Sequence, residues 1–315
     1  MTAKPDVMVL YEQRPKAMAQ LEEAYTLRRW DQAADKTAFL AEHGAKCRAV
    51  ATNGHARIDR TMLDALPNLG LVACSSAGFE TFDLGLMAER GIALTNTSVA
   101  LRDDVADTAI MLLLAARRGL VEADAYVRSG DWVRKGMFPL QRALKGSRLG
   151  IVGLGMIGTA IAQRAESMGV EVSYWNRSAK DVGWRYRPDV RTLAAESDHL
   201  AVTVTGGEGT RGLISRDVID ALGPEGLLIN ISRGSVVDQD AMVTALREGR
   251  LGHAALDVYA QEPTQEAGLV SLRNVTLYPH HASGTVETRD AMAQLVVDNL
   301  AAFFAGKPLL TPVRL

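Results

Sequence analysis

Cysteine is nearly missing from this chain, with only Cys47 and Cys74 among 315 residues. Their separation matches no metal-ligand spacing, and the sequence alone establishes no disulfide. Both lie in apolar, strand-like segments, so buried, reduced thiols and no metal site are expected. Charge of one sign is missing as well: 35 Lys and Arg against 37 Asp and Glu leave a net charge of -2. So even a balance offers nothing to a nucleic-acid or membrane partner recruited by bulk charge. Basic pairs and clusters at Arg28-Arg29, Arg117-Arg118 and Arg185 to Arg191 each have acids close by and read as solvated surface. Long apolar runs are absent. The richest, Val105 to Ala116, is broken by Asp107 and is too short to span a bilayer. The first residues lack the apolar stretch of a secretory signal, and no solenoid repeat or low-complexity linker is visible. A cytoplasmic protein is expected.

What the chain does contain is alternation. A length of 315 residues suits two domains rather than one core. Short β-rich runs alternate with helix-patterned segments, which predicts an α/β fold with parallel sheets. The first third offers strands at Val7–Tyr11, Arg48–Thr52, Leu69–Ser75 and Ile92–Asn96 and reads as a small open-sheet domain. Helical segments lie between them, one of them (Leu84–Arg90) closed by Gly91. A helix over 104–118 follows, with acids in its first turn and arginines in its last, matching the helix dipole. It is apolar on most faces, which calls for burial nearly all round, between domains or against another subunit. Six strands follow, at Leu149–Val152, Val172–Trp175, Leu200–Val204, Leu227–Ile231, Ala254–Val258 and Val275–Leu277, the number in a full dinucleotide-binding sheet. A closing helix, Val286 to Phe304, is stopped by Gly306 and Pro308 and is expected to return to the first domain.

The segment Gly153-Leu154-Gly155-Met156-Ile157-Gly158 follows a strand and opens a helix, the context a dinucleotide fingerprint requires. Gly153 permits the tight turn, Gly155 lets the backbone approach a pyrophosphate, and Gly158 brings helix and strand together. The helix N-terminus offers unpaired N–H groups to the phosphate charge. Alone, such glycines are as often structural as functional; the strands around them favour binding. Where an NAD site places a carboxylate, the second strand ends in Asn176-Arg177-Ser178. A guanidinium there suits a 2′-phosphate, so NADP(H) is the expected cofactor, with NAD(H) also possible.

Three polar groups follow later strands: Asn230-Ile-Ser-Arg233-Gly234, Asp257-Val-Tyr-Ala-Gln-Glu262-Pro263, and Tyr278-Pro279-His280-His281. Singly, each has a bland reading as a loop salt bridge, a solvated acid or a turn histidine. In this order behind the glycine loop, they resemble the D-isomer-specific 2-hydroxyacid dehydrogenase family. The likeness runs from Ser76-Ala77-Gly78 and Val105-Ala-Asp107 to Gly306-Lys-Pro308. It is nearest to the glyoxylate and hydroxypyruvate reductases, through Val237-Asp238 to Ala245-Leu246 and through Ser283 to Arg289.

The resemblance implies a Rossmann domain (99–286) inserted into a smaller flavodoxin-like substrate domain (1–98 and 287–315), with the site in the cleft between them. It also implies a homodimer joined through the Rossmann domain, which would cover the apolar helix. Arg233 matches the residue that pairs with the substrate carboxylate and polarises the keto oxygen. His280 matches the general acid, and Glu262 the carboxylate that holds it as a proton donor. Asp257 resembles the residue that holds the nicotinamide carboxamide. Ala77 and Gly78 match the loop whose N–H groups cradle the substrate carboxylate, so Arg233, His280, Ala77 and Gly78 form the expected substrate set. The expected cofactor set is Gly153, Leu154, Gly155, Met156, Ile157, Gly158, Asn176, Arg177, Ser178, Thr205, Ile231, Arg233, Asp257, His280 and Ser283. His281 stands where an aliphatic residue is usual and competes with His280 for the acid role. Glu80 replaces an aspartate common in relatives, and Thr205-Gly206-Gly207 replaces a segment that often contains proline. Reduction of glyoxylate or hydroxypyruvate by NADPH is the function so implied. The alternatives are a dehydrogenase for a larger D-2-hydroxy acid and, from another class, a non-catalytic nucleotide sensor of the corepressor type.

Overall fold

The structure is a computed structural model that describes residues 4–315. Its contacts divide the chain into two compact units, Met1–Leu101 with Ser283–Leu315, and Arg102–Ala282.

The first unit carries strands β1 (Asp6–Val9), β2 (Thr26–Arg29), β3 (Cys47–Thr52), β4 (Leu71–Cys74) and β5 (Ala93–Thr95). They lie in the order β2-β1-β3-β4-β5, all parallel, which is the flavodoxin-like order. A short strand, Pro312–Val313, is added antiparallel outside β5. Alternation along each strand sends residues to opposite faces. Met8, Val50 and Val72 pack on one side with Leu63, Met87 and Ile92. Val7, Ala49 and Leu71 pack on the other with Val296 and Leu300 of the closing helix Val286–Phe304, so that helix does return to this sheet. Both faces are covered, as parallel strands require. Cys47 and Cys74 are buried thiols and form no disulfide among the described residues. The sequence reading missed β2, whose Thr-Leu-Arg-Arg has no apolar alternation. It is an edge strand, held through ion pairs of Arg28 with Asp6 and of Arg29 with Asp31 and Glu12.

The second unit carries β6 (Arg148–Val152), β7 (Glu171–Trp175), β8 (Arg185–Tyr186), β9 (His199–Val202), β10 (Leu227–Asn230), β11 (His253–Leu256) and β12 (Val275–Leu277). The sheet is parallel throughout, in the order β12-β11-β10-β9-β6-β7-β8. Its strand order reverses between β6 and β9, the place where open α/β sheets bind dinucleotides. The expected six strands are present, and the two-residue β8 is a seventh. It is too short to leave a periodic signal.

The helix expected over 104–118 begins earlier, at Ser98, and runs to Arg118. Asp103 and Asp107 therefore lie beyond its first turn. Instead of meeting the helix dipole, both pair with Arg164 of the helix Met156–Ser167. Burial nearly all round is not what one chain supplies. Val105, Ala109, Leu112 and Leu113 are buried, whereas Met111 and Leu114 are exposed. Beyond it, residues 119–146 hold the helices Leu120–Arg128 and Asp131–Lys135 and continue this apolar surface. Val133 is 92% exposed, Leu140 88% and Met137 79%. Among the described residues no helix is long and apolar enough to cross a membrane.

Candidate active site

The glycine loop sits at the C-terminal end of β6. Gly153 has φ +104°, and a Cβ there would lie 2.7 Å from Val204 Cγ1. A Cβ on Gly158 would lie 2.3 Å from the Gly153 carbonyl, so helix and strand meet at a distance only glycine permits. Gly155 differs: a Cβ there would meet nothing within 4 Å. That open side, at the uncapped start of the helix Met156–Ser167, suits a pyrophosphate. Beside it is a cavity of about 500 Å³, lined by Gly153, Gly155, Asn176, Arg177, Ser178 and Thr205 among others. Leu154 and Ile231 are buried, and Met156 is exposed.

Asn176 has a role that sequence reasoning missed. Its Oδ1 accepts the Leu154 N–H at 2.8 Å, while Lys180 Nζ donates to the Leu154 carbonyl at 2.5 Å. The turn after β7 thus holds the phosphate loop from both sides of one residue. Lys180 is itself fixed by the buried Tyr174 hydroxyl, which accepts its N–H at 2.8 Å and donates to its carbonyl at 3.2 Å. Arg177 is exposed and forms no hydrogen bond or ion pair with any described residue. The spacing of Asn176 and Lys180 could have signalled this only with the turn geometry known.

Three further loops follow β10, β11 and β12. After β10, Asn230 accepts the Ser232 N–H and donates to the Arg233 carbonyl, each at 3.0 Å. Ser232 Oγ donates to the Val204 carbonyl at 2.5 Å. Arg233 Nη1 donates to the Ser232 carbonyl at 2.7 Å, which fixes the plane of the guanidinium. Gly234 has no alternative, because a Cβ would fall 1.9 Å from the Tyr259 carbonyl. That contact presses the Arg233 loop against the segment leading to Glu262.

After β11, Glu262 Oε1 accepts the Tyr259 N–H at 2.9 Å, and Oε2 is hydrogen-bonded to His280 Nδ1. Burial opposes ionisation of Glu262 most strongly. The bond from His280, the Tyr259 N–H and the charge of Arg233 together outweigh it and hold the carboxyl below its usual value. Glu262 is therefore a carboxylate at neutral pH, and Nδ1 is the ring nitrogen that donates to it. His280 Nε2 lies on the other side of the ring from that bond.

Asp257 grips the turn that carries His280. Its carbonyl accepts the His280 N–H at 2.8 Å, Oδ1 accepts the His281 N–H at 2.7 Å, and Oδ2 accepts the Ala282 N–H at 3.2 Å. Three successive N–H groups go to one residue. His280 has φ +49°, the only positive value at a non-glycine residue among those described. That conformation costs free energy and persists where its surroundings impose it, as Asp257 does here. Burial pushes the Asp257 carboxyl up, against the lowering effect of the bonds it accepts. His281 lies on the far side of the same turn. Its ring is exposed, tilted toward Tyr278 at 6.2 Å between centroids, and has no carboxylate partner among the described residues. The fold brings His280, and not His281, to Glu262.

In the first unit, the loop after β4 places Ala77 and Gly78. The Ser76 carbonyl accepts the Thr97 N–H at 3.0 Å and the Ala77 carbonyl accepts Asn96 Nδ2 at 3.5 Å. The N–H groups of Ala77 and Gly78 have no acceptor among the described residues. Ser283 belongs to this unit, half-buried ahead of the closing helix.

Residues 110–282, more than half of the chain, match the family described as D-isomer specific 2-hydroxyacid dehydrogenase, NAD binding domain. The chain is 49% identical over 295 residues to glyoxylate/hydroxypyruvate reductase A of Arabidopsis thaliana, covering 93% of this chain and 94% of that one. The chain belongs to the D-isomer-specific 2-hydroxyacid dehydrogenase family. It is equally 49% identical, over 91% of each chain, to a hydroxyphenylpyruvate reductase of Plectranthus scutellarioides. Among solved structures it is similar to an NADPH-dependent glyoxylate/hydroxypyruvate reductase from Sinorhizobium meliloti in complex with NADP and malonate. That likeness has a TM-score of 0.90 at 39% identity and covers 99% of this chain and 97% of the other. Like its family, the protein is a 2-hydroxyacid dehydrogenase with a nicotinamide dinucleotide cofactor, and the glycine loop, the uncapped helix and the adjoining cavity fit that group.

Proposed function

We propose that this dehydrogenase reduces small 2-keto acids, glyoxylate and hydroxypyruvate, to 2-hydroxy acids with NADPH, acting as a cytoplasmic homodimer. The observation that carries the reading is the pairing of His280 Nδ1 with the Glu262 carboxylate one loop from a fixed Arg233 guanidinium. When bound, the reduced nicotinamide supplies the hydride. The N–H groups of Ala77 and Gly78 hold the substrate carboxylate together with Arg233. The guanidinium polarises the keto oxygen, drawing off the negative charge that develops there. His280 Nε2 delivers the proton to that oxygen, while Glu262 keeps the ring oriented through Nδ1. Asp257 sets the turn and has a second lone pair on each oxygen for the carboxamide.

The preference for NADPH rests on Arg177, unpaired and exposed at the end of β7, with Asn176 and Ser178 beside it and no carboxylate in that turn. The S. meliloti reductase bound to NADP supports it. The dimer rests on the apolar surface of Met111, Leu114 and residues 119–146, which is larger than single exposed side chains explain. Sedimentation at about twice the 33.9 kDa chain mass is expected, and a monomer at micromolar concentration would contradict it.

A steady-state panel tests the reading. Glyoxylate, hydroxypyruvate, pyruvate and hydroxyphenylpyruvate are assayed with NADPH and with NADH. The two small acids with NADPH are expected to give the highest kcat/KM, by at least about tenfold over NADH. Equal values for the two cofactors would remove the NADPH preference. Highest kcat/KM with hydroxyphenylpyruvate would favour the larger-substrate reading, and no turnover alongside tight cofactor binding would favour the sensor.

A further inference from the structure

The C-terminal segment is linked by hydrogen bonds to the loop at residues 76–78, a connection the proposed chemistry does not use. Asn299, on the inner face of the closing helix, is only 1% exposed, yet all of its amide is engaged. Nδ2 donates to the Leu295 carbonyl at 2.7 Å and to Thr311 Oγ1 at 3.0 Å. Oδ1 accepts the N–H groups of Leu310 at 2.9 Å and Thr311 at 3.3 Å. A buried amide with every bond made is a rigid anchor, since losing any one leaves a desolvated polar atom. Thr311 passes the connection on. Its hydroxyl donates to the Asn96 carbonyl at 2.7 Å, and its carbonyl accepts the Asn96 N–H at 3.3 Å. The next two residues pair with β5 in register, Pro312 with Thr95 and Val313 with Leu94.

Asn96 and Thr97 then hold the loop at residues 76–78. Thr97 N–H is bonded to the Ser76 carbonyl and Asn96 Nδ2 to the Ala77 carbonyl. A trans peptide is planar, with its C=O and N–H antiparallel. Fixing the Ser76 carbonyl therefore fixes the Ala77 N–H on the opposite side, and fixing the Ala77 carbonyl does the same for the Gly78 N–H. The two donors are thus oriented through the opposite side of each peptide, by Thr97 and Asn96.

We propose that Asn96 and Thr311, anchored by Asn299, are positioning residues that aim the Ala77 and Gly78 N–H groups at the substrate carboxylate. This rests on the reading that those two groups bind the carboxylate. The test uses the full chain with Thr311→Val, which removes only the hydroxyl, Asn96→Asp, which replaces the donor to Ala77 by an acceptor, and Thr311→Ser as the conservative rescue. KM for glyoxylate is the main readout, because it does not depend on how much of the enzyme is folded. It is expected to rise about tenfold in the first two variants, with kcat and the NADPH dissociation constant (by cofactor fluorescence) within about twofold of the parent. Hydrogen exchange at residues 76–79 should quicken in parallel, and Thr311→Ser should restore both. Unchanged exchange and KM in both variants would overturn the proposal. Faster exchange with KM unchanged would show a tether without a substrate role, and would sink the carboxylate reading along with it.

Discussion

Arg233→Lys is expected to lower kcat/KM for glyoxylate by roughly a thousandfold, about 4 kcal/mol of transition-state stabilisation. The substitution keeps the positive charge, so any loss reports geometry. In the parent, the guanidinium plane is fixed by the bond from Nη1 to the Ser232 carbonyl, and the backbone beneath it by Asn230. Gly234 locks the same loop against Tyr259, where no side chain fits. A lysine would therefore stand on an unmoved backbone, with a single ammonium where a planar fork had been. The three N–H groups of an ammonium fan out from one nitrogen. They cannot reproduce the planar fork that meets a carboxylate and a keto oxygen side by side, and the four-carbon stem is not held in one orientation. Most of the loss should fall in kcat, since the charge on the oxygen grows toward the transition state, and NADPH affinity should move little. Steady-state kinetics of both constants check this. A loss below about tenfold would mean that charge alone suffices and that the fork has no part in the reaction.

The two sheets were legible in the sequence because parallel strands buried on both faces read as short apolar runs, and the helices between them as periodic ones. What escaped has local causes. The strand at Thr26–Arg29 lies at an edge and is half-buried, with polar residues that ion pairs hold in place. Arg185–Tyr186 has only two residues. The acids at Asp103 and Asp107 looked like a helix start because their partner, Arg164, is more than fifty residues away. At the site, the residue types were legible and several of their bonds were not. Asn176 stood out as a cofactor residue, but its oxygen is committed to the phosphate loop. Lys180 gave no signal, because its target is a backbone carbonyl. Asp257 stood out as a cofactor residue, yet its bonds in the fold are to three backbone N–H groups of the turn ahead of it. A sequence pattern names which side chains recur; which backbone groups they satisfy follows only from the folded path.

That turn decides between the two adjacent histidines. Both follow Pro279 and both carry an imidazole. Asp257 separates them by holding His280 at φ +49°, which turns its side chain to Glu262 and leaves His281 with Tyr278. Only His280 has a carboxylate to fix its ring, and so only His280 presents Nε2 in a defined direction. General acid catalysis by a positioned group is worth about 10²–10⁴ in rate. The most direct test is therefore kcat for glyoxylate reduction by His280→Asn and by His281→Asn, measured side by side with NADPH affinity as a control for folding. His280→Asn is expected to fall about a thousandfold and His281→Asn to stay within about threefold of the parent, with cofactor binding retained in both. If His281→Asn were the crippled variant while His280→Asn still turned over, the assignment of the proton to the Glu262-backed imidazole would be wrong.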